Sequence, residues 1–232
     1  MSDAGILRLM EHPVAGRALP FAVFIAFIAL GDAAGGLLPA LGFDARWWPV
    51  ARAGVVALML WGFWKSYVEL HDFPIRRRDL LGAVGAGAAV FFLWIHLDFG
   101  WATLGGAGTG FVPTLPGGEG IDWTLALPRL AGFALVVPVM EELFWRSFLM
   151  RWIDSSDFLA LDPRRASAKA VIVSSLLFAS EHHLWLAGLI AGVVYGVIYI
   201  RTRNLWLPVV GHAVTNGLLG IWILATGHWQ FW

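Results

Sequence analysis

Residues 133–152 read FALVVPVMEELFWRSFLMRW, an almost unbroken apolar stretch with two adjacent glutamates at its middle and an arginine one helical turn later. About 20 such residues are what a helix needs to cross the hydrocarbon core of a bilayer. An ionisable side chain at that depth costs at least about 2.5–3.5 kcal/mol on insertion scales, so charges kept there mark a functional site by default. Spacing separates the two acids. Glu142 and Arg146 stand at i and i+4, on one face and able to pair. Glu141 is turned about 100° away from Glu142 and has no local cation. The pattern therefore reads Glu142 as structural and Glu141 as chemical, against the alternative that both carboxylates only pack helices together.

The rest of the chain makes the membrane setting general. Of 232 residues, 59% are apolar and only 14% are charged, where an ordinary soluble domain carries about 25% charged residues. Mean hydropathy is +0.71. Sixteen Lys and Arg balance sixteen Asp and Glu, so the basic stripe of a nucleic-acid binder is missing and nucleic acid is excluded as a partner. No cysteine is present, which removes disulfides, thiolate metal sites and a cysteine nucleophile. The first twenty residues place charges and Pro13 ahead of any long apolar run, and no cleaved signal peptide is expected.

Apolar runs near the required length predict spans at 19–41, 50–70, 79–97, 125–150, 169–184, 185–201 and 205–226. Basic residues alternate between their connections. Arg8 and Arg17 precede the first span, and Lys65 with Arg76, Arg77 and Arg78 follow the second. Arg151, Arg164 and Arg165 follow the fourth, and Arg201 with Arg203 follow the sixth. The intervening loops hold only Arg46. The positive-inside rule then predicts an all-α polytopic bundle of about seven transmembrane helices with a cytoplasmic N-terminus. The 98–122 segment, DFGWATLGGAGTGFVPTLPGGEGID, is too rich in Gly and Pro for a continuous helix and reads as an outer loop, flexible or substrate-gating.

Two further polar groups lie where lipid is expected. Residues 174–185, SSLLFASEHHLW, place Glu181, His182 and His183 at the end of the fifth span. Residues 209–220, VVGHAVTNGLLG, place His212 and Asn216 one turn apart on a common face of the seventh. Each alone reads equally well as helix-packing glue. Together, a carboxylate to take a proton from water, a partner to orient that water and donors for a developing oxyanion are what peptide hydrolysis requires. Since the fifth span places His182 near an end and Glu141 and His212 lie deeper, a water-filled cavity lined by protein is expected to join them. Asp32 reads as helix packing and Arg52 as a snorkelling cation near a span end. No H-E-x-x-H or G-x-S-x-G motif occurs, and Ser174 and Ser175 lack a base.

The ordered set Glu141-Glu142-x-x-x-Arg146, Phe178-x-x-x-His182 and His212-x-x-x-Asn216 resembles the three-motif signature of the CAAX prenyl protease and bacteriocin-processing (CPBP, or Abi) family of intramembrane proteases. The stretches EELFWRSFLMRW, EHHLWLAGLIAGVVYG, RTRNLW and ATGHWQFW look more particularly like its exosortase-associated branch. The resemblance implies three membrane helices and an outer loop over 1–124, a catalytic core over 125–226 and a tail over 227–232. It implies that Glu141 is the general base, that His182 holds the attacking water, that His212 and Asn216 stabilise the oxyanion, and that Glu142 and Arg146 support them. It leaves two mechanisms open, a water held by hydrogen bonds alone or one divalent, zinc-like metal on Glu141, His182 and His212. The implied setting is a bacterial cytoplasmic membrane, with a membrane-associated peptide or protein substrate and an exosortase/PEP-CTERM-type sorting system as partner. The residues themselves also admit a non-catalytic membrane scaffold or a small transporter.

Overall fold

The computed structural model describes residues 11–71, 74–105, 110–115, 117–118 and 120–232. Arg8 and the side chain of Asp32, both read above, lie outside the described residues. The described chain is helical, with one isolated antiparallel bridge between Thr114 and Ile121. In chain order the main helices are α1 (Pro13–Ala29), α2 (Gly31–Ala40), α3 (Trp48–Gly62), α4 (Arg77–His96), α5 (Trp123–Trp152), α6 (Ala168–Ser180), α7 (Trp185–Thr202) and α8 (Trp206–Thr226).

Helix thus occupies each of the seven predicted stretches, but not in equal lengths. Among the described residues four helices, α4, α5, α7 and α8, are long and apolar enough to cross a membrane, and α1 with α2 makes a fifth candidate bent by 72°. The chain is a multi-pass membrane protein. Helices α3 and α6 are shorter, at 15 and 13 residues. The stretch predicted as a span over 50–70 leaves α-helix after Gly62 and continues as two 3-10 turns, Trp64–Ser66 and Val68–Leu70.

Helix starts follow local chemistry. His12 caps α1 by accepting from the Ala15 amide, with Pro13 at the first position, where its missing N–H costs nothing. Asp122 caps α5 and Ser167 caps α6 in the same way. Small residues set the packing inside the bundle, as expected where lipid gives no hydrophobic drive to bring helices together. A Cβ at Gly87 of α4 would run into the Gly211 carbonyl of α8, and one at Gly192 of α7 would meet Ser175 of α6 at 2.9 Å. Thr215 of α8 donates to the Gly87 carbonyl at 2.7 Å. Of the four long helices α8 is the most enclosed, with 56% of its apolar window buried against 17% for α4, so α8 is central and α4 faces lipid.

One expectation is corrected here. Arg17, counted among the loop cations that set orientation, is 1% exposed. Its guanidinium pairs with Glu69 and bonds Ser147 Oγ (3.0 Å), the Pro13 carbonyl (2.7 Å) and the Ser66 carbonyl (3.0 Å). Ser147 also donates to Glu69, and Arg151 stands 3.6 Å from it. Glu69, at the far end of the predicted 50–70 span, captures the arginine, because two opposite charges with satisfied hydrogen bonds can be buried together. The loop before α6 remains polar and exposed. The Arg164 guanidinium, hydrogen-bonded to Asp162, holds that carboxyl down to about 2.

Candidate active site

Helix α5 carries the two glutamates, and its hydrogen-bond ladder is irregular on both sides of them. π-helical turns run over Gly132–Val136 and Leu143–Leu149, leaving a short α-helical piece, Val137–Glu142, between. π-turns often occur at functional sites. Here a cause is visible in the sequence. Pro138 has no N–H to give to the carbonyl five residues back, that of Phe133. The Asn216 side chain of α8 supplies the missing donor, Nδ2 to Phe133 O, at 2.9 Å. An irregularity in α5 therefore fixes the amide of α8 beside the glutamates and leaves its second N–H free.

The two carboxylates diverge. Glu142 is fully buried, with Oε1 3.1 Å from Arg146 Nη1 and 2.9 Å from His212 Nδ1. Arg146 in turn reaches the Gly192 carbonyl at 3.4 Å and lies over the Phe178 ring at 4.5 Å. Glu141 faces a cavity of about 250 Å³, and its Oε2, buried without a hydrogen-bond partner, lies 3.8 Å from His212 Nε2. His212 therefore bridges the pair, one ring nitrogen to each acid. The Tyr195 ring stacks on the imidazole with centroids 5.1 Å apart, and the Tyr195 hydroxyl is tied to Thr215 at 2.6 Å.

His182 reaches the same cavity because α6 stops at Ser180 and residues 181–184 leave the helix. Its Nδ1 lies 2.8 Å from the Phe178 carbonyl, and Trp94 meets the ring edge-on at 5.3 Å. His183 turns away, its Nδ1 2.6 Å from the carbonyl of Leu104 in the outer loop. Glu181 is exposed and lines the cavity from the same turn. The structure thus brings Glu141, His182, His212 and Asn216 to one enclosed space, with Glu142 and Arg146 behind them and His183 outside.

The fit of a metal can be judged from the donors. Among the described residues no group of three or more His, Asp or Glu side chains stands close enough to hold one ion. Glu141, His182 and His212 as placed do not form the three-ligand site, and no step below passes through a metal.

Sequence reading missed four residues at this site. Tyr195 and Thr215 brace His212 and α8, and nothing in their local sequence distinguishes them from packing residues. Arg52 was read as snorkelling, yet it lines the cavity with a buried Nε and lies over the Phe24 ring at 4.3 Å. Arg129 sits in the first turns of α5 and also lines the cavity. The cost argument applied to Glu141 applies to Arg129 as well and would have singled it out.

Residues 123–218 match the family model described as Type II CAAX prenyl endopeptidase Rce1-like. Over that segment the chain is similar to the CAAX prenyl endopeptidase family, in line with the resemblance read from the three motifs. The match covers α5 to most of α8, and so includes every residue of the three motifs. No curated protein and no solved structure gives a match to the chain. That similarity supports a membrane-embedded hydrolase of the CAAX protease type acting on a membrane-associated substrate.

Proposed function

We propose that the protein is an intramembrane endopeptidase in which Glu141 activates water for attack on a peptide bond. The observation that carries this reading is Glu141 itself. It is a buried carboxylate with an unpartnered oxygen facing a cavity that His182, His212 and Asn216 also line. Its neighbour Glu142 also keeps Oε2 unbonded, but its Oε1 is held by Arg146 and His212 and it does not line the cavity, so the two acids have different work.

In this scheme water lies between Glu141 and His182. Glu141 takes a proton as the oxygen attacks the scissile carbonyl carbon. The tetrahedral oxyanion is met by the free Asn216 N–H and by His212 Nε2. With His212 Nδ1 held 2.9 Å from Glu142, Nε2 is the ring nitrogen left to face the reacting group. Glu141 then passes its proton to the leaving nitrogen, the C–N bond breaks, and a carboxylate and an amine are released. The histidine motif, RTRNLW and ATGHWQFW support the exosortase-associated branch and a peptide of a surface-protein sorting system as substrate, in a bacterial cytoplasmic membrane with the N-terminus inside.

The test compares membrane-protein termini by mass spectrometry in cells producing the native chain or Glu141→Gln at equal membrane levels. At least one membrane-associated protein should gain a new terminus with the native chain alone. Identical termini in the two strains would overturn the reading.

A further inference from the structure

The catalytic cavity contains a cationic end that hydrolysis does not use. Arg52 of α3 and Arg129 of α5 both line it. The Nε of each is buried without a hydrogen-bond partner, and among the described residues neither guanidinium lies within 4.0 Å of a carboxylate. Aromatic faces hold their planes: Arg52 lies over Phe24 at 4.3 Å, and Arg129 over Phe111 at 4.4 Å and Trp232 at 5.2 Å. A ring face attracts a cation but offers no acceptor for its N–H groups. Two guanidinium groups thus line one cavity with a buried donor unfilled on each, a state that costs stability unless something fills them. The acids of the same cavity, Glu141 and Glu181, leave them unpaired.

We infer that Arg52 and Arg129 form a carboxylate-binding subsite of the catalytic cavity that holds an acidic group of the peptide substrate. The inference rests on the reading of Glu141 as the base. A planar guanidinium fork matches a carboxylate with two parallel hydrogen bonds, and two forks set the group's position as well as its charge. A substrate group is favoured over a lipid phosphate by location. Whatever touches both arginines shares about 250 Å³ with Glu141, so it must either belong to the molecule being cut or obstruct it. Holding a group remote from the bond fixes the register of the chain, so the pair decides which bond meets the water.

The test measures binding, not turnover, on the full chain carrying Glu141→Gln in phosphatidylcholine nanodiscs. Equilibrium dialysis compares acetyl-Leu-Leu-Leu as the free acid and as the C-terminal amide, with acetyl-Leu-Glu-Leu-amide as a third probe. The free acid should bind at least about tenfold more tightly than the plain amide. Arg52→Gln or Arg129→Gln should erase that preference, and the Lys variants should retain part of it. If the glutamate-bearing amide matches the acid, a side-chain carboxylate suffices; if it matches the plain amide, the terminal carboxylate is what is read. Equal binding of acid and plain amide by the native arginines overturns the proposal, and that comparison needs no arginine variant to fold. Loss of the preference on adding phosphatidylglycerol assigns the site to a lipid phosphate and overturns it too. An intact preference in a protein whose native form cuts nothing would reject the protease reading alone.

Discussion

Glu141 and Glu142 are one bond apart in sequence and chemically opposite. Glu142 meets Arg146 at 3.1 Å and His212 at 2.9 Å, whereas Glu141 Oε2 meets only the cavity and, at 3.8 Å, the far side of the same imidazole. In the proposed mechanism Glu142 is therefore a positioning residue. Glu142→Gln keeps the size of the side chain but removes the charge that orients His212. It should lower kcat about 10²-fold with KM nearly unchanged, the loss expected when a catalytic group is misplaced by about 1 Å. A matching rise in KM would mean that Glu142 serves substrate binding instead. Asn216→Ala removes an oxyanion donor and should cost about 10²–10³ in kcat. It also leaves the Phe133 carbonyl unbonded, so the variant's thermal unfolding is measured beside its kcat: a loss of kcat in a chain of unchanged stability belongs to the oxyanion donor.

The helices place these groups through two local departures from regularity that the sequence hints at unequally. Pro138 stands in plain view in the fourth predicted span, but that Asn216 answers its missing N–H depends on which helix packs there, a tertiary fact. The fifth predicted span runs to 184, four residues past the end of α6 at Ser180, and which of His182 and His183 turns inward was not legible. That choice depends on the Leu104 carbonyl of the outer loop, which binds His183. The close approach of α4 and α8 gives a test at Gly87. Gly87→Ala drives a methyl group against the Gly211 carbonyl and should destabilise the bundle by about 1–3 kcal/mol, as overpacking does. Gly85→Ala on the same helix meets nothing within 4 Å and should leave the melting temperature unchanged or slightly raised, since alanine favours helix. Equal thermal shifts for the two variants in detergent would mean that the helix contact is looser than the structure has it.

Across the whole molecule, scarcity of charge made the membrane bundle and the three motifs readable. It misled where charges are buried in pairs. Periodicity cannot distinguish a loop arginine from one folded back against an acid 52 residues away, which is the case of Arg17 and Glu69. That pair joins α1 to the turn before α4 and, through Ser147, to the catalytic helix. Glu69→Ala leaves a buried cation and should cost about 3–5 kcal/mol, read by thermal unfolding in lipid nanodiscs; a change below about 1 kcal/mol would place the pair in contact with water, where ion pairs contribute little. Span lengths were misjudged for a related reason. Apolar text continues past Gly62 while the chain bends into 3-10 turns that enclose Glu69.

All of these contacts converge on leaving one buried carboxylate, Glu141, facing the cavity. The decisive measurement is the hydrolysis rate of a membrane peptide identified from the altered termini, with purified chain in liposomes and Glu141→Gln and Glu142→Gln measured side by side. Glu141→Gln should fall by about 10³-fold or more, general-base loss lying at about 10²–10⁴, while Glu142→Gln retains measurable turnover. A Glu141→Gln chain that cuts at the native rate would contradict the assignment of Glu141 as the base.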